Sequence, residues 1–301
     1  MFLCGIEDVR IFHAAGMGIV GQCCENLHLN RYTVDPGDDG LSATTADAIL
    51  LTNFSGHVCI ENSLVDRSVD DAISIHGFYT RVDTVTDRCK AAVRMLHLSQ
   101  AGTNPYFPGD VLVVSDGKTM CRKGTVTVKR TFIRDDPALI YLETEEPVKD
   151  LLCPGDILEN PGRTPTVEIK NNVFKNFPAI RLSSARKMVF ENYRVESCTA
   201  LLVNDLIRYW SVSGCVTDLT IQNNLFANMG TGISVISERS AGSDVRHQNI
   251  HILHNTFQNC GVGIAASCVD GLIIKDNHFE NVRVPVSVTD CTDTEIQPFE
   301  E

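Results

Sequence analysis

The residues best suited to do chemistry are three aspartates. Asp70 and Asp71 stand side by side in the stretch VDDAISIHG (69–77), an apolar, strand-like run in which burial penalises charge. Asp47 lies upstream in a second apolar stretch, SATTADAILL. Nearby carboxylates raise one another's pKa, so one can stay protonated as an acid while the others act as bases. That division of labour is what the cleavage of a glycosidic bond requires.

Several interpretations of this aspartate group stay open on spacing alone. Paired aspartates are common in turns, where their role is structural. Clustered carboxylates also suit the hard cation Ca²⁺. Catalysis is the third interpretation, and because no metal-binding motif lies nearby we predict neither a metal nor another cofactor. His76, shortly after Asp71, either orients a carboxylate or a substrate hydroxyl or is a hydrogen-bonded residue of the turn.

An internal repeat predicts the elements that must position these residues. Six short segments share an aliphatic or aromatic first residue, polar residues that usually include Asn, and an apolar end; they begin at Ile60, Ile169, Phe190, Ile221, Ile252 and Ile274. Most successive starts fall within the spacing of roughly 20–50 residues that is typical of solenoids. Alternation points the apolar residues inward, while Asn suits tight corners and side-chain ladders. The pattern predicts an all-β fold, a right-handed parallel β-helix. A coil of this length would place Asp47 and the pair Asp70 and Asp71 on the same face of neighbouring coils.

The interval between Ile60 and Ile169 breaks this period, because it is several coils long and lacks the motif. Within it, residues 78–160 hold β-rich runs separated by Gly, Asp and Pro turns. These runs predict a small antiparallel β-barrel or sandwich inserted between two coils. The expected domains are therefore residues 1–77 and 161–301, the two parts of the β-helix, with the insertion between them.

Composition narrows the classes of partner. The net charge of −12 repels phosphate backbones and disfavours nucleic acid. No apolar run reaches the ~18 residues that span a bilayer. The twelve cysteines include no C-x-x-C pair, and we expect most of them to be reduced, buried, small apolar residues. The first residues lack a signal-peptide pattern and look like the middle of a solenoid, so we expect further coils upstream.

Three stretches resemble glycoside hydrolase family 110. They read GMGIVGQCCENLHL (16–29), SATTADAILLTNFSGHVCIEN (42–62) and VDDAISIHGFYTRV (69–82), and the similarity extends over residues 10–285. The resemblance implies a β-helix with an inserted barrel. It also implies an exo-acting α-1,3-galactosidase that inverts the anomeric configuration and acts on galactose-terminated glycans. The family suggests a secreted or periplasmic location.

The resemblance assigns roles to individual residues. The family's acids fall on Asp47, Asp70 and Asp71. By analogy with other inverting β-helix glycosidases, Asp70 is assigned as the general acid, and Asp47 and Asp71 as the residues that hold and deprotonate the attacking water. Inversion calls for an acid and a base about 6.5–9.5 Å apart. Trp210, the only tryptophan of the chain, is expected to lie against the apolar face of galactose, and Arg181 is a candidate for contacts with substrate hydroxyls.

Three positions depart from the family pattern toward apolar residues. Leu50 stands where family members tend to have histidine, Val212 where they have a carboxylate, and Ala179 where they have arginine. A site built to bind sugar hydroxyls loses heavily when such partners are absent. The departures are consistent with an altered substrate, weak activity or a descendant without turnover.

Two other functions remain alternatives to an active galactosidase. One is a polygalacturonase-like hydrolase. Two features count against it: the His–Gly pair follows the aspartates too closely for that family's pattern, and the chain is too acidic to bind an acidic polysaccharide. The other is a carbohydrate-binding solenoid that does not turn its ligand over. Leu50, Val212 and Ala179 favour the second alternative, and the three aspartates oppose it.

Overall fold

The structure is a computed structural model in which residues 4–196, 198–205, 207, 210–237 and 247–299 are described. The strands before the insertion are β1 (Cys4–Glu7), β2 (Arg10–Ile11), β3 (Ile19–Gln22), β4 (Glu25–Asn30), β5 (Thr33–Val34), β6 (Ile49–Thr52), β7 (Ser55–Glu61), β8 (Leu64–Asp66) and β9 (Ile73–Phe78). The insertion contains β10 (Thr80–Asp87), β11 (Lys90–Met95), a 3₁₀ turn (Leu98–Gln100), β12 (Val111–Ser115), β13 (Arg122–Ile133), β14 (Leu139–Thr144) and β15 (Ile157–Glu159). The strands after it are β16 (Thr166–Lys170), β17 (Val173–Lys175), β18 (Ala179–Leu182), β19 (Ala185–Glu191), β20 (Arg194–Glu196), β21 (Ala200–Asp205), β22 (Val212–Ser213), β23 (Val216–Gln222), β24 (Leu225–Ala227), β25 (Thr231–Ser237), β26 (His247–Leu253), β27 (Thr256–Gln258), β28 (Val262–Ser267), β29 (Val269–Lys275), β30 (His278–Glu280), β31 (Val284–Thr289) and β32 (Thr292–Ile296).

Outside the insertion, the described strands stack into three parallel sheets. The first sheet has the order β1-β4-β7-β16-β19-β23-β26-β29-β32, the second β2-β5-β8-β17-β20-β24-β27-β30, and the third β3-β6-β9-β18-β21-β25-β28-β31, with β22 pairing antiparallel to β9. The predicted parallel β-helix is confirmed. Strand β7 pairs directly with β16, and Ile60 lies opposite Ile169. The solenoid therefore continues on the next coil after the insertion, which explains the long interval between these two repeat segments.

The corners form where the repeat predicted them. The third residue of each repeat segment has a left-handed backbone, with φ of 52° at Asn171 and 56° at Asn223. Asn adopts this conformation at low cost because its short side chain can hydrogen-bond locally. His254 takes the same place with φ of 53°, so the corner is set by its position in the coil and tolerates other residues.

Inside the coils, asparagines and phenylalanines repeat from one coil to the next. The amide Nδ2 of Asn224 donates to Oδ1 of Asn255 at 2.9 Å, and Nδ2 of Asn255 donates to Oδ1 of Asn277 at 3.0 Å. The predicted asparagine ladder is thus confirmed. The rings that stack beside it, with centroids 5.1 Å apart, belong to Phe226, Phe257 and Phe279.

The insertion is a closed antiparallel barrel with the strand order β10-β11-β14-β13-β12-β15. Strand β15 closes it against β10, where Thr80 pairs with Leu158. A separate cluster of buried apolar side chains, among them Leu112, Val126 and Ile140, fills its interior. The division of the chain into domains at 77 and 160 stays a prediction.

The cysteines differ from expectation. Cys198, Cys260 and Cys268 are buried, but the other nine are partly or fully exposed. The expectation that most are buried is wrong, because many of them lie on the outer faces of strands or in turns and not in the interior of the coil. Within the described residues, no helix has the length and apolarity needed to cross a membrane.

Candidate active site

The outer face of the third sheet forms the floor of a cavity of about 430 Å³, a volume usual for ligand sites. Strand alternation decides which residues face it. Ile49, Leu51 and Ile73 point into the core, whereas their neighbours line the cavity. Register aligns these neighbours across coils in two rows. The first row is Val20, Leu50, Ser74 and Arg181; the second is Gln22, Thr52 and His76.

The three aspartates meet at one edge of this floor. Asp47 precedes β6, and Asp70 and Asp71 precede β9 on the next coil. One oxygen of each carboxylate lies within 4.8 Å of one oxygen of the other two. The backbone register pairs Leu50 with Ser74, so Asp47 stacks on Asp71 and not on Asp70. All three aspartates line the cavity.

Burial and mutual repulsion change the protonation of this group. Burial raises the pKa of Asp47 to about 7, and the charges of Asp71 and Asp70 add to the shift. Burial also raises the pKa of Asp71 to about 6, although Arg181 opposes the shift. Asp70 is exposed. Near neutral pH Asp47 is therefore partly protonated while Asp71 is mostly ionised, which gives the group both an acid and a base.

Arg181 fixes the most buried aspartate of the group. Its Nε donates to Oδ2 of Asp71 at 2.9 Å, and its Nη1 donates to Oδ1 of Asn204 at 2.9 Å. Both side chains of the ion pair are largely buried. A guanidinium held on two sides presents its remaining donors in a fixed direction. Arg181 thus lies in the cavity with an aspartate as its first partner, and its contact with substrate hydroxyls stays a prediction.

His76 lies in the floor of the same cavity. Its ring nitrogen Nδ1 lies 2.8 Å from the backbone oxygen of Gly77, which can only accept, so Nδ1 carries the proton. Burial lowers the pKa of His76 to about 4. The imidazole is therefore neutral at physiological pH, and Nε2 is an acceptor suited to a hydroxyl donor.

Trp210 forms one wall of the cavity and is held by the inserted barrel. Its residue is 49% exposed, so it is not a core residue of its coil. The ring of His97 lies 4.8 Å from that of Trp210, tilted by 48°. Gln100 Nε2 donates to the backbone oxygen of Trp210 at 3.4 Å. The barrel's 3₁₀ turn thus contributes side chains to the same cavity as the β-helix.

Two polar atoms that sequence reasoning missed are buried at this cavity without a hydrogen-bond partner. They are Oγ1 of Thr52 and Oε1 of Gln100, and both residues line the cavity. An unpaired buried polar atom costs about 1–3 kcal/mol. A ligand hydroxyl that reached these atoms would recover that cost. No motif marks Gln100, because its place follows from how the barrel folds back on the coils.

The three apolar departures fall in different places. Leu50 and Val212 line the cavity, and Val212 pairs with Phe78 of β9. Ala179 is buried and is not part of the lining. Its backbone oxygen accepts from Ala72 N at 2.9 Å, beside the aspartate pair. Two of these three apolar residues therefore lie in the cavity wall itself.

The aspartate group offers only oxygen ligands, so Ca²⁺ is the metal it would suit best. Such a site needs about six to eight oxygen ligands. The cationic Nε of Arg181, 2.9 Å from Asp71, takes up part of the negative charge that a calcium ion would need. The chemistry of the donors thus favours proton transfer over metal binding.

Comparison with known proteins agrees with this architecture. Residues 158–279 match the family model of the right-handed β-helix region. The chain is 30% identical to alpha-1,3-galactosidase A of Peterkaempfera griseoplana over 91% of its length, and 30% identical to alpha-1,3-galactosidase A of Bacteroides thetaiotaomicron over 90%. The chain is thus similar to two α-1,3-galactosidases over most of its own length. The predicted resemblance to glycoside hydrolase family 110 is confirmed. The chain spans 41% and 50% of the length of these two curated relatives.

Among solved structures, the chain is similar to the tailspike protein gp49 of Pseudomonas phage LKA1. That match covers 87% of this chain and 47% of the tailspike, with 11% identity and a TM-score of 0.21.

Proposed function

We propose that this chain carries the catalytic β-helix of an exo-acting glycoside hydrolase that releases terminal α-1,3-linked galactose from glycans. The observation that carries the proposal is the meeting of Asp47, Asp70 and Asp71 in one cavity, where burial raises the pKa of Asp47 to about 7. The names of its relatives supply the substrate class. That this chain shares the activity of these relatives is part of the proposal.

In the proposed mechanism Asp70, the exposed aspartate, protonates the departing glycosidic oxygen. Substrate binding moves the proton from Asp47 to Asp70, whose oxygens lie within 4.8 Å of each other. Asp47 and Asp71 then hold the attacking water and remove its proton. A single water at hydrogen-bond distance, about 2.8 Å from each oxygen, can bridge two oxygens with this separation.

Inversion is the proposed stereochemical outcome, by resemblance to the family. The nearest oxygens lie within 4.8 Å of one another, closer than the roughly 6.5–9.5 Å usual between the carboxyl groups of inverting enzymes. On the proposal, the glycosidic oxygen lies against Asp70 and the attacking water against Asp47 and Asp71. If the first product is β-galactose, the enzyme inverts the anomeric configuration. If the first product is α-galactose, the enzyme retains it, and the proposal of inversion is wrong.

The residues around the aspartates supply a sugar site. Trp210 offers an apolar ring at the wall, and Nε2 of His76 offers an acceptor. Thr52 and Gln100 add the unpaired oxygens described above. Sugars have one apolar face and several hydroxyls, so a ring on one side with acceptors on the other is complementary to them.

The experiment that tests the proposal follows galactose release from an α-1,3-galactosyl oligosaccharide by proton NMR. The control is Asp38→Asn, because Asp38 is an exposed turn residue outside the cavity. The proposal is supported if the wild type and Asp38→Asn release galactose and Asp70→Asn releases none. Equal release by Asp70→Asn would remove that residue from the acid role.

A binding protein without turnover is the second candidate, because Leu50 and Val212 make part of the cavity wall apolar. Trp210 is the only tryptophan, so its fluorescence reports directly on binding at the wall. Saturable quenching by the same oligosaccharide without any galactose release would favour this candidate. A polygalacturonic substrate fits less well, because Arg181 is the only Lys or Arg among the described lining residues, against three aspartates.

A further inference from the structure

A second group of reactive side chains lies on the first sheet, away from the cavity on the third. Cys59 in β7 stands at its centre. Cross-strand register places His28 of β4 and Glu168 of β16 directly opposite Cys59 on either side. His57 and Glu61 lie two positions before and after it on the same strand, and therefore on the same face.

The donor atoms of these residues approach one another closely. One ligand atom each from His28, Cys59 and Glu61 lies within 4.8 Å of the other two, and the same holds for His57, Cys59 and Glu168. All of these residues except Glu168 are partly buried, and Glu168 is exposed. An imidazole, a thiol and a carboxylate together form a donor set suited to Zn²⁺.

Existing contacts separate the two triads. Glu168 is bound by the ammonium of Lys170 at 2.7 Å, and Nδ1 of His57 contacts Oγ1 of Thr166 at 2.9 Å. In the first triad the contact is internal, since Nε2 of His28 lies 2.7 Å from Oε1 of Glu61. An ion entering the first triad therefore does not have to displace a lysine.

We propose that His28, Cys59 and Glu61 form a surface site for Zn²⁺, with water as the fourth ligand. Tetrahedral zinc places its ligands about 3.5 Å apart. Donors within 4.8 Å reach that spacing by side-chain rotation. Gly5 of β1 pairs with His28 on the outer side, and a Cβ there would meet no atom within 4 Å. That open space admits the ion and its water.

Charge at the site agrees with a dication. Burial raises the pKa of the Cys59 thiol, and the carboxylates of Glu61 and Glu168 raise it further. Zn²⁺ binds cysteine as the thiolate, so binding would release the thiol proton.

The test is titration of the full chain with Co²⁺ under reducing conditions, followed by displacement with Zn²⁺. We expect one Co²⁺ per chain with a thiolate-to-cobalt band in the near ultraviolet. Cys59→Ser should abolish the band, whereas Cys121→Ser, which removes an exposed thiol of the barrel, should retain it. A band that persists in Cys59→Ser, or no band in the wild type, would overturn the proposal.

Two further variants identify the triad. His28→Gln should weaken Co²⁺ binding about tenfold or more, and His57→Gln should leave it unchanged. The reverse result would overturn the assignment to His28. Zn²⁺ should raise the Tm of the wild type but not that of Cys59→Ser. Galactose release, if present, should be the same in both, because Cys59 does not line the cavity.

Discussion

Nε of Arg181 donates to Oδ2 of Asp71 at 2.9 Å, joining two coils of the solenoid across the floor of the cavity. The two residues are 110 positions apart in the chain and are brought together because β18 follows β9 in the third sheet. Arg181 opposes the rise in the pKa of Asp71, so Asp71 is more fully ionised at neutral pH than Asp47. The separation of charge states within the group depends on it.

Removing the guanidinium should change the pH profile of catalysis. In Arg181→Gln the pKa of Asp71 rises further, because the cation that opposes the shift is gone. The acidic limb of the kcat/KM profile should move to higher pH, and kcat/KM at pH 6 should fall about 100-fold. Arg194→Gln, which removes an exposed pair with Glu196, is the matched control and should leave the profile in place. An unchanged acidic limb in Arg181→Gln would contradict the role of the pair.

Asp47 should make the fold less stable as pH rises. Its folded pKa of about 7 lies above its ordinary value of 3.8, so the folded chain holds the Asp47 proton more tightly than the unfolded chain. That stabilisation is present below about pH 4 and is lost as pH rises to about 7. Asp47→Asn imitates the protonated form. Because a pKa difference of about 3 corresponds to about 4 kcal/mol, the free energy of unfolding of this variant should exceed that of the wild type by about 4 kcal/mol at pH 8 and match it at pH 4.

Denaturant titrations at the two pH values measure this difference. Asp38→Asn should follow the wild type at both values. A curve for Asp47→Asn that declines with pH as steeply as the wild type would show that Asp47 holds no proton in the folded state.

Thr52→Val should separate stability from function. Its hydroxyl is buried without a partner, so a methyl group of similar size removes an unpaired polar atom. The free energy of unfolding should rise by about 1 kcal/mol, and kcat/KM should fall about tenfold because a sugar hydroxyl loses its acceptor. Thr44→Val is the matched control, because the Thr44 hydroxyl has a partner, Ser68 Oγ, at 2.8 Å. Loss of that hydrogen bond should lower the free energy of unfolding. Unchanged kcat/KM in Thr52→Val would exclude contact with substrate.

Replacing the wall tryptophan should weaken substrate binding. Trp210→Ala should raise KM about tenfold with a smaller effect on kcat, because the ring is expected to contact the substrate away from the scissile bond. Trp210→Phe should recover most of the loss. His97→Ala, which removes the ring beside Trp210, should raise KM less than Trp210→Ala does. An equal loss of kcat in Trp210→Ala and Trp210→Phe would indicate a different role.

The repeat alone predicted the solenoid, because each segment encodes a corner and two inward residues by itself. The aspartate group was predictable for the same reason, since a coil of known length returns the chain to the same edge. The register that pairs Leu50 with Ser74, and so stacks Asp47 on Asp71, was not predictable to the residue. Turn lengths within the coil decide it.

The sequence did not predict that the barrel contributes residues to the cavity. Gln100 is distant from Thr52 in the chain, and nothing in its neighbourhood marks a ligand site. Its position depends on where the closed barrel rests on the coils, which is a property of tertiary packing. For Trp210, in contrast, the WSVSG string predicts contact with a sugar; the structure places the residue in the cavity wall, and the sugar contact stays a prediction.

The most direct test of the account compares Asp70→Asn and Asp47→Asn on two substrates, an α-1,3-galactosyl disaccharide and an aryl α-galactoside with an activated leaving group. If Asp70 protonates the departing oxygen, Asp70→Asn should lose about 10³-fold on the disaccharide but little on the aryl galactoside, whose leaving group needs no proton. Asp47→Asn, which impairs the water, should lose activity on both. Equal losses of Asp70→Asn on both substrates, or wild-type activity of either variant on the disaccharide, would contradict the assignment of the cleavage to this aspartate group.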